Sequence, residues 1–346
     1  MRYAFENIIF YTKRGKTNME MAIAIGLFVV GLVLLIKGGD WFVDGATGIA
    51  RRFHLPEILI GATVVSIGTT LPEVMVSATA AFEGSGSIAY GNAIGSIICN
   101  TSLIAAITIA IKPAAIDRKS LKIPVIFFFG AAALYCGVAY FTGYFSRLIG
   151  FILLAVFASY IALSAVQARK QLALGGDTEE HEEEEGGKES PLWKEIVLLV
   201  VGAALIAVGA RLLVDNGTLI AEKLGVPETV IALTFVALGT SLPELVTAIT
   251  SLAKGHGALS LGNIIGANLF NLVLVSGVST VVAPFAVPEG NTLFGINSSL
   301  VLDIPVMLAV MLLLTVPALI RGKLSRVQGI ALLAIYAGFC VFQFVM

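Results

Sequence analysis

Two hexapeptides carry the chemistry in this chain. Gly68-Thr69-Thr70-Leu71-Pro72-Glu73 recurs as Gly239-Thr240-Ser241-Leu242-Pro243-Glu244, 171 residues later. Each sets a glutamate inside a long apolar stretch, where a charge costs about 2.5–3.5 kcal/mol on insertion scales. Such a carboxylate needs a cation or a proton as its partner, and no Lys or Arg lies mid-segment to serve. Thr69, Thr70, Thr240 and Ser241 place hydroxyls beside the acids. The proline lacks a backbone donor and clashes with the preceding turn. Each hexapeptide therefore predicts a broken helix with free carbonyl oxygens. Irregular backbone at membrane depth is tolerated only where it lines a cavity or is buried in protein. Carboxylate, hydroxyl and carbonyl oxygens together suit a hard cation. Calcium takes roughly six to eight of them, and sodium is similar in size and hardness. Two such sets at related positions predict one shared cation site.

A second motif repeats at the same offset. Gly91-Asn92-Ala93-Ile94-Gly95-Ser96 returns as Gly262-Asn263-Ile264-Ile265-Gly266-Ala267. Glycines four apart permit close helix approach, and taken alone this pattern reads as packing. One turn further, Asn100 and Asn271 share a helix face with Ser96 and Ala267. That face is placed to meet the glutamates, with helix–helix hydrogen bonding as the alternative. Asn268 adds a third amide in the second copy. Between residues 38–100 and 209–271, about 24 of 63 positions are identical without a gap.

The elements that must hold these residues follow from composition. The chain is 57% hydrophobic and only 13% charged, against about 25% charged in a soluble domain. It reads as an all-α integral membrane protein. Runs of about 20 apolar residues read as spanning helices. Ten occur, near 20–38, 58–81, 88–111, 122–142, 148–168, 194–213, 229–252, 258–282, 299–318 and 326–345. They are too long and too uniformly apolar for the strands of a barrel. Each half holds five. An odd number makes the second half enter from the opposite face, so the repeats are inverted about a pseudo-two-fold axis in the membrane plane. That architecture is common among secondary transporters, with the site at the midplane where the repeats meet.

The organisation is therefore a first repeat over 19–171, a linker over 172–192 and a second repeat over 193–346. The linker holds Asp177-Thr178-Glu179-Glu180-His181-Glu182-Glu183-Glu184-Glu185, and a block of like charge reads as a solvated connection. Residues 1–18, with Lys13, Arg14 and Lys16, read as an extension ahead of a later true start. Basic residues cluster in alternate loops: Arg51 and Arg52, then Lys112, Arg118, Lys119 and Lys122, then Arg169 and Lys170, Lys254, and Arg321, Lys323 and Arg326. By the positive-inside rule those loops are cytoplasmic and both termini are outside, in a multi-pass protein of the cell (inner) membrane. Asp44 and Asp215, also repeat-related, read as interfacial pairing or capping residues. Asp303 sits where a helix N-terminus favours an acid.

Several classes are excluded. A net charge of −1 gives no nucleic-acid signal. Cys99, Cys136 and Cys340 lie in apolar segments and make no disulfide framework. His54, His181 and His256 form no metal-ligand pair. No HExxH, P-loop or GxSxG motif occurs, so the chain is not read as an enzyme and is not itself ATP-driven. A channel would need an open conduit, usually ringed by ligands from several subunits. One pair of glutamates about a pseudo-two-fold suits a closed carrier site better.

The paired hexapeptides and Gly-Asn-x-Ile-Gly segments resemble the α-repeats of the cation/calcium exchanger superfamily, and most closely its prokaryotic sodium/calcium exchangers. The resemblance covers residues 20–346. It implies that Glu73 and Glu244 are the main ligands for calcium and sodium. It further implies carbonyl ligands from Thr69 and Thr240, hydroxyls nearby from Thr70 and Ser241, and sodium-binding carbonyls from Ser66 and Ala237. Ser96 and Asn100 match site positions in the third helix. In the eighth helix the chain departs from the pattern. Ala267 replaces a usual serine, removing one hydroxyl. Asn271 stands where some members carry aspartate, which disfavours potassium coupling.

The expectation is a sodium/calcium antiporter that exports calcium by alternating access, the first and sixth helices sliding over an eight-helix core. A proton/calcium antiporter, with Glu73 and Glu244 as protonation sites, is the alternative. Calcium and sodium (or protons) are cargo rather than cofactors, and no cofactor is expected. The bilayer is the other partner. A monomer suffices, and the oligomeric state is left open.

Overall fold

The computed structural model describes residues 2–113, 116–173, 191–224, 239–288, 292–293 and 295–345. Ten helices account for nearly all of them. They are α1 (Arg2–Arg52), α2 (Glu57–Phe82), α3 (Gly86–Ile111), α4 (Arg118–Phe141), α5 (Arg147–Ala173), α6 (Leu192–Lys223), α7 (Leu242–Ala253), α8 (Gly257–Val282), α9 (Ser299–Arg321) and α10 (Arg326–Val345). Among the described residues, nine are long and apolar enough to cross a membrane, and α7 is a shorter apolar helix. The protein is thus all-α and polytopic, with five helices in each half.

Burial sorts the helices into layers. In α8, 83% of the most apolar window is buried, against 17% in α1 and 22% in α6. So α8 lies at the centre, where it touches α2, α3, α4, α5 and α7. Helices α1 and α6 lie outside, packed chiefly on each other. Glycines set that contact. A Cβ on Gly31 would lie 2.9 Å from the Gly209 carbonyl oxygen, and one on Gly38 2.9 Å from that of Gly202. The same offset relates Gly31 to Gly202 and Gly38 to Gly209, so the antiparallel crossing obeys the pseudo-two-fold. Small residues let two backbones meet at this range. A Glu20–Lys223 ion pair of 2.6 Å also joins α1 to α6.

Two spans run further than the apolar count predicts. Helix α1 reaches Arg52 rather than about residue 38, and α6 reaches Lys223 rather than about 213. Apolar counting stops short of Asp40 and Asp215, whereas the helix continues through both, and each of these acids has an ion partner. Helix α1 also extends back to Arg2, through the basic stretch read as an extension. The acidic linker falls mainly in 174–190, outside the described residues.

Several helices contain a widened π-helical turn: Gly61–Val65 in α2, Asn100–Ala105 in α3, Asn271–Val275 in α8 and Ser299–Asp303 in α9. The α3 and α8 turns begin at the repeat-related Asn100 and Asn271. Such turns concentrate at functional sites.

Candidate cation site

The predicted break at the hexapeptides needs correction in repeat one. The helix runs unbroken from Ser66 to Phe82 through Pro72. Proline costs only its own bond to the carbonyl of Gly68, and the helical turns on both sides hold the rest. In repeat two the chain does turn at Gly239–Ser241, and α7 starts at Leu242 with Pro243 in its first turn. There the missing N–H is needed by no carbonyl. The two copies thus present their glutamates from differently built backbones.

Packing brings the two sets together. The Ser66–Phe82 part of α2 touches α7, and each also touches the π-helical turn of the opposite repeat: α2 against Asn271–Val275, α7 against Asn100–Ala105. Glu73 and Glu244 are both 0% exposed. Ser66, Thr69, Thr70, Ser96, Asn100, Ser241 and Asn271 are buried, and Thr240 is partly so. Ala237 lies outside the described residues.

Within this group many polar atoms have no hydrogen-bond partner among the described residues. They include both carboxylate oxygens of Glu73 and of Glu244, both amide atoms of Asn100 and of Asn271, and the hydroxyls of Thr70 and Ser241. An unsatisfied buried polar atom costs about 1–3 kcal/mol, and more when charged. Native interiors carry few of them. A concentration at one place marks oxygens arranged for something other than each other. No cluster of three His, Cys, Asp or Glu occurs among the described residues. The oxygen set is therefore mixed, two carboxylates with amides and hydroxyls, as hard cations prefer.

A pair of cross-repeat bonds frames the site. Thr69 Oγ1 donates to Asn263 Oδ1 at 3.2 Å, and Thr240 Oγ1 donates to Asn92 Oδ1 at 3.3 Å. These are the same bond twice, since 69 maps to 240 and 92 to 263 under the offset. The threonine four residues before each glutamate is thus held by the other repeat. Asn92 is itself fixed by its Nδ2 on Ser77 Oγ at 2.8 Å. Ser96 Oγ lies 3.4 Å from Asn92 Oδ1, a long donation that leaves its lone pairs free. Ser66 Oγ is 2.7 Å from the Gly61 carbonyl oxygen and 2.9 Å from that of Asn263. Asn92 and Asn263 are contacts of the hexapeptides that sequence reasoning missed. Read as part of a glycine packing motif, they accept hydrogen bonds from the hexapeptide threonines of the opposite repeat. The available signal was an identical amide at related positions inside apolar runs.

Three further residues singled out in the sequence have contacts of their own. Asn268 Nδ2 donates to Thr101 Oγ1 at 2.7 Å and to Met311 sulfur at 3.2 Å, a helix–helix contact, while its Oδ1 has no partner among the described residues. Asp303 is held by Ser299 at 2.8 Å and Gln343 at 2.8 Å. Ala267 is fully buried and offers no hydroxyl where repeat one has Ser96.

The family model for the sodium/calcium exchanger protein matches residues 23–166 and 194–345, which is both halves and not the linker. The chain belongs to the sodium/calcium exchanger protein family. Among its relatives, the sodium/calcium exchanger MaX1 of Methanosarcina acetivorans is 31% identical over 92% of this chain and 97% of its own. The inner membrane protein YrbG of Escherichia coli is 33% identical over 76% of this chain and 81% of its own. Among solved structures, the sodium-calcium exchanger NCX_Mj soaked with 10 mM Na+ and zero Ca2+ superposes with a TM-score of 0.74 and 33% identity. That match covers 92% of this chain and 97% of the other. The two hexapeptides and their cross-repeat bonds thus lie within the matched halves of this family member.

The threonine–asparagine bonds carry a prediction. Asn263→Leu removes the acceptor from Thr69 and leaves that hydroxyl buried. Half-maximal calcium in uptake is expected to rise about five- to tenfold, the equivalent of about 1–1.5 kcal/mol, with the folded yield kept. Asn92→Leu should behave alike. An unchanged half-maximal calcium in both variants would leave the bonds a packing detail.

Proposed function

We propose that this protein is a secondary antiporter that exchanges sodium for calcium by alternating access, with Glu73 and Glu244 as the central ligands. The observation that carries the reading is the pair of wholly buried carboxylates, one per repeat, whose four oxygens meet no donor among the described residues. Thr69, Thr240, Ser66 and Ala237 supply carbonyl oxygens, Thr70 and Ser241 hydroxyls, and Ser96, Asn100 and Asn271 complete the set. Their mixed oxygen character, and the burial of the described ones on or beside α2, α3, α7 and α8 from both repeats, support these roles.

Charge counting sets the energetics. Two ionised glutamates give the empty site two negative charges, which one calcium neutralises. Two sodium ions do the same, so a 2:1 exchange is electroneutral. Three leave one positive charge, and that charge is worth about 2.3 kcal/mol per 100 mV of membrane potential. The weakly buried α1–α6 pair supports a slider moving over the inner helices. The basic loops support an inner-membrane orientation with both termini outside, and in this reading calcium is carried outward.

Radiocalcium uptake into proteoliposomes tests this. Internal sodium against external choline is expected to drive uptake, and a valinomycin-set voltage to change its rate if the ratio is 3:1. Uptake driven by internal acid alone would overturn the sodium assignment in favour of protons. Restoring the hydroxyl with Ala267→Ser is expected to lower the half-maximal sodium about two- to tenfold, the value of one added hydrogen-bond-like contact. An unchanged sodium dependence would mean that position 267 does not face the ions.

A further inference from the structure

One ion cluster ties the outer helix pair to the inner helices, and its repeat-related counterpart is open. Lys254, directly after α7, reaches across to α1. Its Nζ lies 2.8 Å from Asp44 Oδ1, 3.5 Å from Asp40 Oδ1 and 3.0 Å from the Asp40 carbonyl oxygen. This contact sits on the face where α2 begins and α7 ends, marked by the 2.6 Å pair of His256 Nδ1 with Glu57 Oε1.

The 171-residue offset carries Asp40 onto Arg211 and Lys254 onto Glu83. The charges change places: where repeat one puts an acid on α1, repeat two puts a base on α6. Where repeat two ends α7 with a base, repeat one ends α2 with an acid. Complementarity therefore survives at both mapped positions although no residue is shared. Here that second pair is apart. The Arg211 side chain is 84% exposed and rests on Asp215 of its own helix, Nε to Oδ2 3.5 Å. Glu83 is exposed and has no ion pair among the described residues.

In a carrier built of inverted repeats, exchanging the conformations of the halves converts one facing state into the other. In the exchanged state α6 lies against the end of α2 as α1 now lies against the end of α7. Arg211 then stands before Glu83 as Asp40 now stands before Lys254. We infer that these are two alternating latches of the transport cycle. Lys254 with Asp40 and Asp44 holds the state described here, and Arg211 with Glu83 holds the oppositely facing one. Asp215 is the resting partner of Arg211 while its latch is open. Both pairs are partly exposed, and such pairs bias an equilibrium by up to about fivefold. That strength favours a state without trapping the carrier in it. The inference rests on the alternating-access reading, and its test reads conformation separately from cargo.

Each pair spans the linker, so crosslinking can be read on a gel after cleavage at a protease site placed in 174–190. The full chain would carry alanine at its three native cysteines and either Asp44→Cys with Lys254→Cys or Glu83→Cys with Arg211→Cys. In proteoliposomes both pairs are expected to crosslink. Ion conditions that raise one yield should lower the other, and either crosslink should block uptake. On the cysteine-free chain, Arg211→Glu is expected to slow exchange severalfold, and adding Glu83→Arg to restore it. Arg211→Glu built into the first cysteine pair should raise its crosslink yield. A Glu83–Arg211 pair that never crosslinks while Asp44–Lys254 does would overturn the second latch, as would a charge swap without rescue. Absence of sodium-driven uptake alongside reciprocal crosslinking would sink the cargo assignment and leave the latches standing.

Discussion

Glu73→Gln and Glu244→Gln are each expected to abolish sodium-driven calcium uptake while leaving the protein monodisperse. Glutamine keeps the volume and one oxygen and removes the charge. With one charge gone, calcium faces a site of net −1 and enters with an uncompensated positive charge in a buried place. Breaking a buried charge pairing costs about 3–5 kcal/mol, or roughly two to three and a half decades in affinity. The stability of the empty protein should move the other way or not at all, because a neutral amide is cheaper to bury than an unpartnered carboxylate. Direct calcium binding, uptake and an ion-free melting curve on the same preparation separate the two effects. Near-normal uptake by either variant would refute the shared site, and loss of folded protein in both would make the glutamates structural.

The second large effect is expected at the α1–α6 crossing. Gly38→Val places a Cβ where it would lie 2.8 Å from the Ile206 nitrogen and 2.9 Å from the Gly202 oxygen. Both are backbone atoms, so the helices must separate rather than a side chain turn away. Overpacking of this kind costs about 1–3 kcal/mol, and uptake should fall with it because the pair no longer moves as a unit. Gly26→Ala on the same helix is the control. A Cβ there meets nothing within 4 Å, and alanine at a helix interior gains about 0.5–1 kcal/mol over glycine. A melting midpoint in detergent that falls for Gly38→Val and holds or rises for Gly26→Ala bears out the crossing. Equal midpoints would mean that the helices do not meet there.

Much of the fold was legible because membrane insertion writes its rules into composition. Ten apolar runs, five per half, gave the all-α inverted architecture, and the paired acids stood out because nothing else charged lies so deep. What escaped was whatever depends on distant partners. The ends of α1 and α6 read short because Asp40 and Asp215 look like boundaries until their ion partners are known. Pro72 reads as a break on local grounds, yet the helix around it is held from both sides. In Asn92 and Asn263 the amides are plain in the sequence, but their roles depend on threonines 148 and 194 positions away. The widened turns at Asn100 and Asn271 have no local pattern to betray them.

The reciprocal threonine–asparagine bonds also govern how the protein must be made. Neither half can complete the site, because each glutamate's neighbouring threonine is held only by the other half. Glu73 therefore leaves the ribosome 171 residues before Glu244, an interval of about ten to thirty seconds at ordinary synthesis rates. Throughout that wait Thr69 and Asn92 lack the partners they hold in the finished protein. The threonine–asparagine frame is therefore a property of the two docked halves, and neither half made alone holds its own threonine in place.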